Sequence, residues 1–132
     1  MPEQWWEHYE TEDDFEHTKT AKIANQNDLL RKTFCVGGVI ERDHNVSALN
    51  NAQQSALNFA IQEYEVFHPN QNMGEERSTG IVNLFHKRFR WKITYYDREA
   101  WNTGRKINSG IPECAFSTYR VLSITQIAPD TN

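Results

Sequence analysis

The sequence predicts an α+β fold in which two main helices pack on one face of an antiparallel sheet of about four strands. Apolar residues recur at helical spacing in two segments, 18–34 and 50–64, and they alternate with polar residues over 88–97. The 132 residues suit one domain that buries a core of its own. We therefore assign residues 18–132 to a single α+β domain and residues 1–17 to a partly helical, acidic arm rich in aromatic side chains.

The first helix is expected over residues 18–34. Ile23, Leu30 and Phe34 fall on one face of this helix, and the two glycines that follow end it. A short strand comes next. Residues 43–45, Asp-His-Asn, are then predicted to form a turn.

The second helix has the clearest pattern and is expected from Asn50 to Tyr64. Asn50 is a favourable N-cap residue, and the Gln53 side chain can bond back to the Asn50 amide. The helix ends before Pro69, because the residue before a proline disfavours α geometry. Its apolar stripe consists of Ala52, Ala56, Leu57, Ala60, Ile61 and Tyr64.

Three further strands are expected at 81–86, 88–97 and 117–128, with loops at 68–80 and 98–116. The middle strand has the strongest alternation in the chain, so its two faces differ in chemistry. A tight antiparallel hairpin joins the first two strands although an Asn-Gly signal is missing, and the last strand is expected to pair with the middle one. One face of the middle strand holds Phe89, Trp91, Ile93 and Tyr95, and the other holds Arg90, Lys92, Thr94 and Tyr96.

Charge is unevenly distributed along the chain. The net charge is −4, yet residues 1–16 contain seven acidic residues and no Lys or Arg. Residues 77–106 contain eight basic residues against two acidic ones, a net charge of +6. Such segregation indicates either a charged partner at one of the two segments or contact between the segments within the fold.

The cysteines and the N-terminal sequence bear on the cellular compartment. Cys35 and Cys114 lie far apart and match no metal or redox spacing, so two reduced thiols are expected. The first residues are acidic and resemble no signal peptide, and no apolar run approaches the roughly 20 residues that span a bilayer. We therefore expect a soluble protein of a reducing compartment, the cytoplasm.

No catalytic or metal-binding constellation is evident. The five histidines show no ligand spacing, and the sequence indicates neither a metal nor a cofactor. Cys35 is expected in the core, whereas Cys114 is the better candidate nucleophile, with His68 or His86 as a hypothetical base. The adjacent carboxylates of Glu75 and Glu76 are a weaker acid–base candidate, since charged loop residues are usually only solvated.

Two surfaces are candidates for binding. The arm embeds aromatic anchors among carboxylates, as interfaces often do, unless it packs on its own domain. Its predicted partner-binding residues are Trp5, Trp6, Glu7, Tyr9, Glu12, Asp13 and Asp14. The basic hairpin interleaves cations with aromatics, as single-strand binding surfaces do, unless it is a solvated sheet face. Its predicted residues, for nucleic acid or an acidic partner, are Lys87, Arg88, Arg90, Lys92, Tyr96 and Arg98.

Four stretches between residues 22 and 127 carry a family resemblance. They are residues 27–34 with the glycine pair 37–38, the Gly-Glu-Glu of residues 74–76, the Phe-Arg-Trp-Lys-Ile-Thr-Tyr-Tyr-Asp of residues 89–97 and the strand at residues 120–124. Together they resemble a family of small proteobacterial proteins classed only as a domain of unknown function. That family has a histidine where this chain has Glu76, so no role of that histidine carries over. The resemblance implies a bacterial or phage source and carriage on plasmids and prophages, and it lends no activity.

Three classes of function are consistent with these features. The arm, the small size, the missing catalytic constellation and the implied mobile-element source favour a non-enzymatic, stoichiometric inhibitor that binds a host defence complex handling nucleic acid, similar to an anti-CRISPR protein. The first alternative is an accessory protein that binds nucleic acid through the basic hairpin. The second is a small enzyme with a loop site around Cys114.

Overall fold

The computed structural model describes residues 12–66 and 76–129, and of residues 12–17 it describes the backbone alone. The first helix begins by Glu12, earlier than the predicted start at Thr18. The described elements are, in chain order, α1 (Glu12–Thr33), β1 (Gly38–Arg42), α2 (His44–Ser47), α3 (Asn51–Gln62), β2 (Thr79–Leu84), β3 (Lys87–Asp97), α4 (Arg98–Asn102) and β4 (Thr118–Ile127).

The four strands form one sheet in the order β1-β4-β3-β2. β3 pairs antiparallel with both β2 and β4, as predicted, whereas β1 runs parallel to β4. The sheet is therefore mixed and mostly antiparallel, with the two main helices packed against it, so the predicted α+β layers are confirmed. The parallel pair is feasible because parallel neighbours need a long crossover, which α2, α3 and the later strands provide.

The core lies between the helices and one face of the sheet. Trp91 is fully buried there and meets the Tyr64 ring edge-on, with 5.4 Å between the ring centroids. A Cβ atom at Gly80 would come within 2.5 Å of Trp91 Nε1, so the close packing requires glycine at this position. Each large apolar side chain buried in this way contributes about 1.5–3 kcal/mol. The buried cluster also includes Leu30 of α1, Leu57 and Ile61 of α3, Phe89 and Ile93 of β3, and Leu122 and Ile124 of β4.

Two helices begin at a residue whose side chain caps the helix N-terminus. Asn50 caps α3 by accepting from the Gln53 amide at 2.8 Å, and the Gln53 side chain accepts from the Asn50 amide at 3.1 Å, which confirms the predicted capping box. Asp43 was expected in a turn but is the N-cap of α2, since its side chain accepts from the Val46 amide at 2.8 Å. Asp43 also accepts from the Gln126 amide at 3.0 Å, which ties this connection to β4.

The β2–β3 hairpin turns through Phe85 and His86, both with φ of 58°. Two successive residues with positive φ characterise the tight hairpin turn that matches the twist of the strands. The tight hairpin is confirmed, although its boundaries shift because the predicted last residues of the first strand, Phe85 and His86, are the turn itself.

The cysteines are both free thiols. Cys35 is exposed, so its predicted place in the core is wrong. The cause is the end of α1, where Phe34 adopts a φ of 62° and packs against the core cluster, and the chain then turns outwards. No helix within the described ranges is long and apolar enough to cross a membrane.

Candidate nucleic-acid interface

The side of the sheet that faces away from α1 and α3, here called the outer face, holds the basic residues of β3. Exposed and buried side chains alternate along residues 89–93. Arg90 and Lys92 are exposed, whereas Phe89, Trp91 and Ile93 are buried. The predicted alternation of β3 is thereby confirmed. On β4 the register places Ser123 opposite Lys92 and Thr125 opposite Arg90, so polar side chains flank the cations on this face.

Three rings, here called the aromatic stack, lie on the same outer face as these cations, at the end of β3. Tyr96 of β3 is directly opposite Tyr119 of β4. Trp101 of α4 contacts both rings, at 5.2 Å and 34° from Tyr96 and at 4.9 Å and 31° from Tyr119. All three side chains are half-buried, so part of each remains accessible.

The short helix α4 positions Trp101. Asp97 caps this helix by accepting from the Ala100 amide at 2.9 Å, and the Ala100 side chain is buried. The chain leaves α4 through Gly104, whose φ of 81° lets the following residue bond back to the Ala100 carbonyl at 2.8 Å. Trp101 was missed by the sequence reasoning, because the segment from 98 to 116 shows no periodic pattern and was assigned as a loop.

Two cations border the aromatic stack. The Arg98 guanidinium lies 5.4 Å from the Tyr119 ring centroid and donates to the Thr118 carbonyl at 3.1 Å. The exposed Lys106 ammonium lies 5.7 Å from the Trp101 ring centroid. Both distances are within the range of cation–π attraction. Flat rings and positive charge are thus combined in one place.

The predicted basic residues do not all join this surface. Arg88, Arg90, Lys92 and Tyr96 share the outer face by alternation, and Arg98 joins them at the aromatic stack. Lys87 does not share the outer face, because it is an odd-numbered residue of β3. It borders a shallow groove of about 430 Å³ at the hairpin.

The predicted acidic arm lies only partly within the described residues. Trp5, Trp6, Glu7 and Tyr9 lie outside the described residues. Glu12, Asp13 and Asp14 form the described start of α1, which extends into the segment assigned to the arm. Their predicted role in binding a partner stays a prediction.

The hypothetical nucleophile Cys114 is half-buried, and its Sγ lies 3.4 Å from Ser117 Oγ. Hydrogen bonds from the Ser117 side chain and backbone lower the pKa of this thiol. His86 lies at the opposite end of β3, and the length of that strand separates the two side chains by roughly 30 Å. His68 and Glu75 lie outside the described residues. Within the described ranges, no three His, Cys, Asp or Glu side chains could hold a metal ion.

A buried polar cluster on the inner side of the sheet was missed by the sequence reasoning. Asn27 donates to the Tyr95 hydroxyl at 2.8 Å and to the Glu76 carbonyl at 2.9 Å, and it accepts from Arg120 Nε at 2.7 Å. The Tyr95 hydroxyl in turn donates to Glu76 Oε1 at 2.7 Å. Burial raises the pKa of Tyr95 above its ordinary range and lowers the pKa of Arg120.

This cluster positions α1 over the sheet, because Asn27 of α1 bonds to Tyr95 of β3 and to Arg120 of β4. Arg31, one turn further along α1, donates to the carbonyls of Ile61 and Gln62 at 2.9 Å each and so ties α1 to the end of α3. The spacing of Ile23, Asn27 and Arg31 places both polar residues on the predicted apolar face, which is the signal that could have found them.

Most of the chain, including the strands β3 and β4 that form this surface, matches the model of a protein family. The model of a family described as "Protein of unknown function (DUF3768)" matches residues 43–127. The matched range runs from α2 to β4 and contains all three rings of the aromatic stack. Residues 22–42 of the predicted resemblance lie before it. No curated protein and no solved structure matches the chain significantly.

Proposed function

Because the chain belongs to the DUF3768 family of proteins of unknown function, we propose a function from its surface chemistry: the outer face binds single-stranded nucleic acid. The observation that carries the proposal is the aromatic stack of Tyr96, Trp101 and Tyr119, which is bordered by two cations and lies on the same sheet face as Arg90 and Lys92. The helices α1 and α3 cover the inner side of the sheet, whereas the short helix α4 borders the aromatic stack on the outer side. Arg90 and Lys92 are exposed on that outer side, where an extended ligand can reach them.

The arrangement matches both parts of a single strand. Every base has a flat π-face, so stacking on an aromatic side chain binds single strands with little sequence preference. Alternate residues of a strand are about 7 Å apart, so Arg90 and Lys92 can contact successive phosphates. Lys106 is exposed and can move aside when a base stacks on Trp101.

The distribution of charge supports an anionic ligand. The net charge of −4 includes −7 from residues 1–16, so residues 17–132 carry +3. Glu12, Asp13, Asp14 and Glu16 lie at the start of α1, so residues 12–132 carry only −1, and the positive charge is local to residues 77–106, which carry +6. Phosphate contacts by such a surface make the affinity fall as salt rises.

The other hypotheses remain proposals without structural support. Inhibition of a host defence complex rests on Trp5 and Trp6, which lie outside the described residues. The bacterial or phage source and the cytoplasmic location rest on the resemblance and the sequence. An enzyme at Cys114 lacks the base expected at His86.

Binding to labelled oligonucleotides by fluorescence anisotropy tests the proposal. We expect saturable binding of single-stranded DNA or RNA of about 12 nucleotides, since a single OB fold, a common single-strand-binding domain, occupies roughly 4–16 nucleotides. Trp101→Ala removes the central ring of the aromatic stack. One lost base contact of about 1–3 kcal/mol weakens the affinity by roughly 5- to 150-fold.

The matched control is Phe59→Ala. This aromatic side chain is 63% exposed on α3, on the helical side of the sheet, and its removal should leave the affinity unchanged. Circular dichroism establishes that both variants are folded. The proposal is wrong if no single strand binds at about 0.1 M salt, where such contacts still act, or if both variants weaken binding equally.

A further inference from the structure

β2 is an edge strand without the usual protection against pairing. The strand order leaves β1 and β2 at the two edges of the sheet. β1 carries Glu41 and Arg42, whereas the six residues of β2, Thr-Gly-Ile-Val-Asn-Leu, include no charge and no proline. Natural edge strands usually carry charges, prolines or bulges, because a bare edge pairs with another strand.

The hydrogen-bond pattern shows which peptide groups of β2 point away from β3. Ile93 donates its amide to the Ser78 carbonyl at 2.7 Å. Because bonding alternates along an antiparallel pair, Gly80 and Val82 also face β3. The peptide groups of Thr79, Ile81 and Asn83 therefore point away from the sheet, and no described residue pairs with them through its backbone.

We propose that this edge binds a second copy of the chain, with the two β2 strands antiparallel about a two-fold axis at Ile81. This register places Ile81 opposite Ile81 of the second copy, and Thr79 opposite Asn83 of the second copy. Both pairs lie at positions whose peptide groups point away from β3 and have no backbone partner among the described residues. This arrangement thus places an apolar side chain opposite an apolar one and a polar side chain opposite a polar one, with no like charges opposed.

A second copy fits this edge because the strand is complementary to itself. A two-fold interface uses the same patch on both partners, so one bare edge is sufficient. The axis is perpendicular to the sheet and places both outer faces on the same side. The dimer therefore has an eight-stranded sheet with two aromatic stacks on one surface. The inference is independent of nucleic-acid binding, since the edge would pair through its peptide groups and not through the cations and rings of the outer face.

Sedimentation velocity of the full chain tests the dimer. From about 5 to about 500 µM, the range in which a small interface associates, the mass should rise from one copy towards two. Ile81→Lys places two ammonium groups opposite each other at the axis and should keep the protein monomeric throughout. Val39→Lys is the matched control, because it introduces the same charge at the same face of the other edge strand.

Amide hydrogen exchange provides a second readout that does not depend on the variants. Protection at Ile81 and Asn83 should increase with protein concentration, while amides of β1 stay unchanged. A monomeric wild type at the highest concentration, a dimer that survives Ile81→Lys, or a dimer lost only with Val39→Lys would each overturn the proposal. If Ile81→Lys fails to fold, concentration-independent exchange at Ile81 overturns it equally.

Discussion

Removing the two exposed cations of β3 should change the salt dependence of nucleic-acid binding by a predictable amount. Each phosphate contact to a single strand contributes about 0.7 to the slope of log K against log salt. Arg90→Gln with Lys92→Gln removes two such contacts, so the slope should fall by about 1.4. At about 0.1 M salt this corresponds to roughly 25-fold weaker binding, and the difference should vanish towards 1 M.

Anisotropy titrations at four salt concentrations measure both slopes. The control is Lys22→Gln with Lys32→Gln, which removes the same charge from exposed positions of α1 on the helical side. Its slope should match the wild type. If the two double variants reduce the slope equally, the net charge and not the outer face determines binding, and the assignment of the surface is refuted.

Two further predictions concern the buried polar cluster. Asn27→Ala leaves Arg120 Nε without its acceptor and should lower the free energy of unfolding, measured in urea, by about 2–4 kcal/mol. The control Asn25→Ala, at an exposed position of the same helix, should change it by no more than about 0.5 kcal/mol. Equal effects of the two substitutions would contradict the role of the cluster. Burial raises the pKa of Tyr95, so its hydroxyl ionises more readily in the unfolded chain than in the folded one. The stabilising contribution of Tyr95 is therefore complete below pH 10, the ordinary pKa of tyrosine, and above it the free energy of unfolding falls by about 1.4 kcal/mol per pH unit. Tyr95→Phe lacks this loss, and equal slopes of stability against pH for wild type and variant between pH 10 and 11 would contradict it.

The sequence predicts those parts of the fold that depend on local periodicity. The alternation of β3 and the capping box of Asn50 follow from spacing alone, because burial of one face and hydrogen bonding at a helix end are local effects. The parallel pairing of β1 with β4 is not predictable in this way, since it depends on which distant edge remains free. The sequence also suggests no reason to bring Asn27 to Arg120, because their contact requires α1 to lie over β4.

The candidate site is predictable only in part for the same reason. Arg90, Lys92 and Tyr96 were predicted from one strand, whereas Tyr119 joins them through the register and Trp101 through a helix of five residues. A helix this short has no repeating pattern, so only its cap at Asp97 marks it in the sequence.

The central position of β4 also determines the order in which the sheet can assemble. β4 bonds to β1 on one side and to β3 on the other, yet it follows both in the chain. During synthesis, the β2–β3 hairpin can close as soon as it emerges, while β1 has no neighbour until β4 has been made. Contacts between such distant segments slow folding, and a chain that ends before Thr118 would keep the β2–β3 hairpin but leave β1 without its partner strand.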